Sequence, residues 1–146
     1  MVCHTFTYMH LIRIEPVVNE IVDTTFARQL TQIVSSTQLP LDVKYFALAT
    51  LNRLASNSGM QEAILEANYM DLVPLSKDVD DKKFKETMIQ TLFYLLNHKS
   101  AFSSALKKVP YAVSALHFIS QNDKFPEVRE KCNQLLSFMQ TLTESN

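Results

Sequence analysis

The sequence predicts an all-α protein built as a solenoid of stacked helical repeats, and three observations carry that prediction. Apolar positions recur as a motif: Val43, Ala47, Leu51 and Leu54 reappear 41 residues later as Phe84, Met88, Leu92 and Leu95, and 44 residues after that as Val128, Cys132, Leu136 and Met139. Such a period belongs to supersecondary units that stack, each burying its apolar face against the next, and not to a globule closed around a pocket. The composition agrees, because one glycine, Gly59, and five prolines leave too little turn chemistry for an all-β fold or a phosphate-binding loop. Thirdly, apolar residues three and four apart fill the segments between breaks, the spacing of one helix face.

Taken in order, the elements read as follows. Cys3 to Ile14 forms a leading helix whose stripe holds Cys3, Thr7, Leu11 and Ile14, and it stops at Pro16. Val17 to Val34 places Val18, Ile21, Val22, Phe26, Leu30 and Ile33 at helical spacing, and Ser35 to Pro40 is a loop. The motif helix Leu41 to Ala55 follows, with Asp42 as its cap. Ser58 and Gln61 have the spacing of a capping box and open a short helix to Ala67. Asn68 then bends the chain, since asparagine tolerates left-handed geometry. Tyr69 to Ser76 is a second short helix, and Lys77 to Lys83 a loop whose Asp80 and Asp81 suit the positive end of the next helix. Phe84 to His98 is the second motif helix. Ser100 to Lys108 and Tyr111 to Ser120 form a short pair bent at Pro110, Pro126 opens the last helix from Glu127 to Leu142, and Thr143 to Asn146 frays. The units are thus residues 3–14 as a leading helix, 17–56 and 58–98 as repeats, and 100–142 as a capping repeat, all in one domain.

The chain is long enough to bury roughly two thirds of its unfolded surface. Its formal net charge of −1 provides no overall field that would gather nucleic acid or anionic lipid. No apolar run reaches the ~20 residues of a membrane span, and residues 1–14 lack the pattern of a secretory signal. Cys3 and Cys132 sit near opposite ends of a linear stack, too distant for a disulfide, so both read as free thiols of an intracellular protein, cytoplasmic or nuclear.

The pattern resembles armadillo repeats. Gln61-Glu62-Ala63-Ile64-Leu65-Glu66-Ala67-Asn68 looks like that family's first helix and bend, with asparagine where glycine is usual; Leu72-Val73-Pro74-Leu75 looks like its second helix, and Val43 to Ala55 matches its third. The resemblance covers residues 3–142 and implies a right-handed superhelical solenoid of about three armadillo-like repeats plus one leading helix. It also implies a concave groove lined by the third helices, where a peptide or helix of another protein binds. In importin-like members a tryptophan and an asparagine four positions apart line that groove. The corresponding pairs here are Ala49 and Arg53, Gln90 and Tyr94, and Gln134 and Phe138. That substitution argues against a nuclear-localisation peptide held in the importin manner, yet Arg53, Tyr94 and Phe138 are residue types that interface cores use. Packing of Tyr94 and Phe138 against neighbouring helices is the competing reading.

Arg13 precedes Arg53 by 40 residues and would place a second guanidinium in the groove, favouring a partner with acidic and apolar anchors. Lys44, Lys85 and Arg129 share another repeat position and form a basic flank beside Lys82 and Lys83, which reads either as a phosphate-contacting strip or as a solvated face neutralised by Glu86 and Glu130.

Nothing in the sequence assembles catalytic or metal-binding spacing. His4 and His10 do not share a helix face, His98 and His117 belong to different helices, Cys132 occupies a core position, and Asp78, Asp80 and Asp81 lack the glycine and terminal glutamate of a calcium loop. The expectation is a non-enzymatic adaptor without cofactor or small-molecule substrate, bound to partner protein through Arg53, Tyr94 and Phe138 with Arg13, Gln90 and Gln134 in support. Two alternatives stand beside it: an oligomerisation or complex-assembly module that uses the apolar N-terminal end, and a nucleic-acid-associated factor that uses the basic flank. Along one flank of the motif helix, Leu48, Asn52 and Ala55 become Ile89, Phe93 and Leu96 and then Asn133, Ser137 and Gln140, the polarity expected of a C-terminal cap.

Overall fold

The computed structural model describes residues 20–144 of the chain, with side-chain environments for 23–142. The predicted leading helix, with Arg13 and Cys3, lies outside the described residues. Within them the protein is all-α, with no strand. The helices are α1 Glu20–Ser35, α2 Leu41–Ala55, α3 Ser58–Glu66, α4 Leu72–Ser76, α5 Lys82–Leu95, α6 Lys99–Lys108, α7 Pro110–Asn122 and α8 Pro126–Glu144, and a single 3-10 turn, Tyr69–Asp71, leads into α4.

Packing follows sequence order. α2 packs on α1 and α5, α5 on α2 and α8, and α8 on α5 and α7; α1 touches α3 and α4, α4 touches α7, and α3 touches α6. Three rows result, α1–α4–α7, α2–α5–α8 and α3–α6, in which each helix lies against its counterpart roughly forty residues further on. The recurrent apolar motif is what fills the row α2–α5–α8: Ala47, Leu51 and Leu54, then Phe84, Met88, Leu92 and Leu95, then Val128, Cys132 and Met139 are all buried. Val43 and Leu136 break the pattern, both being half-buried. In α8 the neighbouring Leu135 is fully buried instead. Replacing a fully buried leucine such as Leu51 by alanine costs about 2–5 kcal/mol.

Polar side chains close the helix ends, where backbone groups lack helical partners. Asn57 caps α3 by accepting from the Gly59 amide at 2.9 Å. The expected Ser58–Gln61 capping box does not form, because Gln61 is buried and its Nε2 donates instead to the Ala55 carbonyl at the end of α2, at 2.8 Å. Nor does Asp42 cap α2: the N-cap is Pro40, and the Asp42 carboxylate accepts only from the adjacent Val43 amide. Asp81, by contrast, caps α5 through the Phe84 amide at 2.9 Å, which starts that helix two residues before Phe84. Asn68 adopts the left-handed conformation, with φ 69° and ψ 35°, and turns the chain between α3 and the 3-10 turn.

Buried hydroxyls link the rows. The Thr31 hydroxyl of α1 donates across to the Ala67 carbonyl, sharing its hydrogen with carbonyls of its own helix. Tyr69 donates to the Met88 carbonyl of α5 at 3.0 Å, and burial holds its phenol well above the ordinary value. These bonds fix how one helix pair sits on the next, a geometry that apolar contact alone leaves soft.

Candidate interaction surface

The spacing of α2 determines one cleft. Phe46, Ala49, Thr50, Arg53 and Ser56 recur at three- and four-residue intervals, so they share a face. With Asn52 and with Tyr94 of α5 they enclose an open cleft of about 460 Å³. Arg53 is exposed and Tyr94 half-buried. Most polar groups in the lining are engaged: Thr50 donates to the Phe46 carbonyl at 2.8 Å, Ser56 to the Arg53 carbonyl at 2.6 Å, and the Asn52 amide to the Thr91 hydroxyl at 3.0 Å. The Arg53 guanidinium and the Tyr94 hydroxyl have no hydrogen-bond or ion-pair partner among the described residues.

Phe138 belongs to a second, smaller cleft of about 230 Å³, shared with Leu96, Lys99, Thr141 and Leu142. It is 60% exposed, yet its ring meets Phe93 edge to face, with centroids 5.8 Å apart and planes at 81°. Tyr94 and Phe138 share one repeat position, and each reaches back to the preceding helix of the row: Tyr94 towards α2, Phe138 towards α5. Gln90 and Gln134 are exposed on α5 and α8 and line neither cleft. Of the predicted groove residues, therefore, Arg53 and Tyr94 come together, Phe138 stands in the neighbouring cleft, and Arg13 lies outside the described residues.

The structure divides the basic ladder. Lys44 is half-buried and Lys83 exposed, but Lys85 is no part of a solvated flank: it is buried, and its ammonium sits 2.5 Å from the equally buried carboxylate of Asp123. Arg129 donates its guanidinium to the Asp123 carbonyl. Lys82 pairs with Glu127 at 3.5 Å, and Glu86, expected to neutralise the ladder, pairs with Lys131 at 3.0 Å. The spacing placed Lys85 beside the core correctly, but a carboxylate 38 residues away, Asp123, is what draws it inward.

Two further clefts lie elsewhere. One, between α3 and α6, holds Glu62, Glu66 and Lys108; the other, beside α4 and α7, holds Asp71 and Lys77 with exposed Tyr111 and Phe118, the Lys77 ammonium lying 5.3 Å from the Phe118 ring centre. Cys132 is fully buried, its thiol donates to the Leu116 carbonyl at 3.0 Å, and burial pushes its pKa up to about 12, the opposite of an activated nucleophile. Among the described residues no group of three His, Cys, Asp or Glu side chains is arranged to hold a metal ion, and no helix is long and apolar enough to cross a membrane. Phe46, Thr50 and Ser56 are cleft residues that the repeat alignment passed over; their spacing from Arg53 on α2 is the signal that identifies them. None of the protein-family models, curated proteins or solved structures compared with this chain matches it.

Proposed function

We propose that this chain is a non-catalytic, armadillo-like scaffold that holds a peptide or helix of a partner protein along the row α2–α5–α8. The observation that carries the reading is the cleft between α2 and α5, where an exposed guanidinium and a half-buried phenol stand without partners among the described residues. Arginine and tyrosine supply large contact area with directional polar groups, the combination found at the centres of protein interfaces. The order of helix contacts supports the solenoid, since each helix lies against its counterpart in the next unit. A nucleic-acid reading loses support, because Lys85 and Arg129 are committed to Asp123 and the shared position keeps only Lys44 free for phosphate.

Affinity capture from a cell lysate, with the unaltered chain and an Arg53→Glu/Tyr94→Ala variant of unchanged helical content, tests the reading. The variant should lose the partners that the unaltered chain retains. Retention of the same partners by both would move the interface away from this cleft, to the N-terminal end or the basic flank, and end the groove assignment.

A further inference from the structure

The polar inventory of the α2–α5 cleft specifies the charge of its occupant. Among the described residues no carboxylate lines it, and Arg53 is the one charged side chain in the lining. The hydroxyl hydrogens of Thr50 and Ser56 are taken by backbone carbonyls, and the Asn52 amide is turned to Thr91. The guanidinium of Arg53 on α2 and the hydroxyl of Tyr94 on α5, both without a partner among the described residues, line the cleft from two helices. The neighbouring cleft repeats the sign, with Lys99 as its one charged side chain beside the apolar Leu96, Phe138 and Leu142. Two other clefts among the described residues differ, because each contains both acid and base, Glu62 and Glu66 with Lys108 in one and Asp71 with Lys77 in the other.

On the scaffold reading above, we infer that the α2–α5 cleft receives the carboxylate of an aspartate or glutamate in a partner's polypeptide segment, while an apolar residue of the same segment seats against Phe138. A guanidinium fork binds a carboxylate through two parallel N–H···O bonds, and the Tyr94 hydroxyl supplies a third donor. Phe46 and Tyr94 line the same cleft and offer aromatic surface to the apolar atoms of the segment. A phosphate carries close to two charges and is ordinarily met by several arginines. One guanidinium matches one carboxylate.

The test is a phage-displayed library of random dodecapeptides selected on the full chain, followed by fluorescence-anisotropy titration of the recovered sequences as synthetic peptides. Recovered peptides should share an aspartate or glutamate near an aromatic or branched aliphatic residue. Replacing that acid by its amide should weaken binding about tenfold or more, and the loss should shrink to less than about threefold in Arg53→Gln, whose helical content and melting temperature serve as the fold control. Tyr94→Phe should weaken the acidic peptide more than its amide form, because the bond to a charged carboxylate is the stronger one. Peptides that bind in a manner abolished by Arg53→Glu or Tyr94→Ala, but without a shared acid, would overturn the carboxylate assignment and leave the scaffold reading standing. A phosphoserine in place of the acid that binds more than tenfold tighter would overturn it as well. Peptides indifferent to every cleft variant, or no peptides at all, would remove the scaffold reading and this inference together.

Discussion

Lys85 and Asp123 form an ion pair at 2.5 Å with both side chains almost wholly buried, and it ties the start of α5 to the turn between α7 and α8. Asp123 is the hub of that joint. Its second carboxylate oxygen accepts from the Phe125 amide at 3.1 Å, and its carbonyl accepts from Arg129. A buried ion pair loses little when both partners are replaced together by apolar residues and much when one is left alone. Asp123→Ala is expected to cost about 3–5 kcal/mol, because it strands the Lys85 ammonium. Lys85→Met/Asp123→Leu should cost markedly less than the sum of the single changes. Urea unfolding of the four proteins measures the coupling, and additive effects would show that the two charges act independently.

Asn68 is the one non-glycine residue with positive φ among the described residues. Asn68→Gly should be neutral or slightly stabilising, whereas Asn68→Val should cost about 1–2 kcal/mol, since a β-branched side chain clashes in the left-handed region. Thermal melting of the two variants checks the ordering.

Cys132 gives the fold a pH dependence of known sign. Its folded pKa lies above the ordinary thiol value, pushed up to about 12 by burial, so the folded state keeps a proton that the unfolded chain releases near pH 9. The thiol's contribution is complete below pH 9 and declines as pH rises towards 12, by about 1.4 kcal/mol per pH unit at most. The difference in unfolding free energy between the unaltered chain and Cys132→Ala should therefore narrow across that window. Under native conditions the thiol should also resist Ellman's reagent until the chain unfolds.

The Phe93–Phe138 contact joins α5 to α8 at the surface. A double-mutant cycle with alanine at both positions should return a coupling of about 0.5–1.5 kcal/mol. A value near zero would mean that Phe138 is held by something other than the ring of Phe93.

Arg53→Gln should leave the melting temperature within a degree or two, because surface substitutions without partners change stability by about 0.5 kcal/mol or less. Phe102→Ala, at a fully buried site of α6, should lose about 3–5 kcal/mol. That contrast separates the residue assigned to binding from one that builds the scaffold.

Much of this protein was legible in the sequence because helical periodicity and the scarcity of glycine are local properties. The breaks at Asn68, Pro110 and Pro126 and the buried stripe of each motif helix follow from residue type and spacing. Arg53 and Tyr94 were legible as a pair for the same reason, since a repeat period converts residues 41 apart into neighbours on adjacent helices. What spacing could not give is the partner that each polar side chain finds. Ser58 and Gln61 have capping-box spacing, but Gln61 turns away to a carbonyl left open at the end of the preceding helix. Lys85 matches Lys44 and Arg129 in register, yet a carboxylate from a distant turn takes it into the interior. Hydrogen bonds and ion pairs between helices depend on atoms brought within about 3 Å by the packing of the whole chain. The sequence alone therefore determined the helices and the apolar stripes along them, and the tertiary structure decided which charges are buried and which, like Arg53, stay exposed.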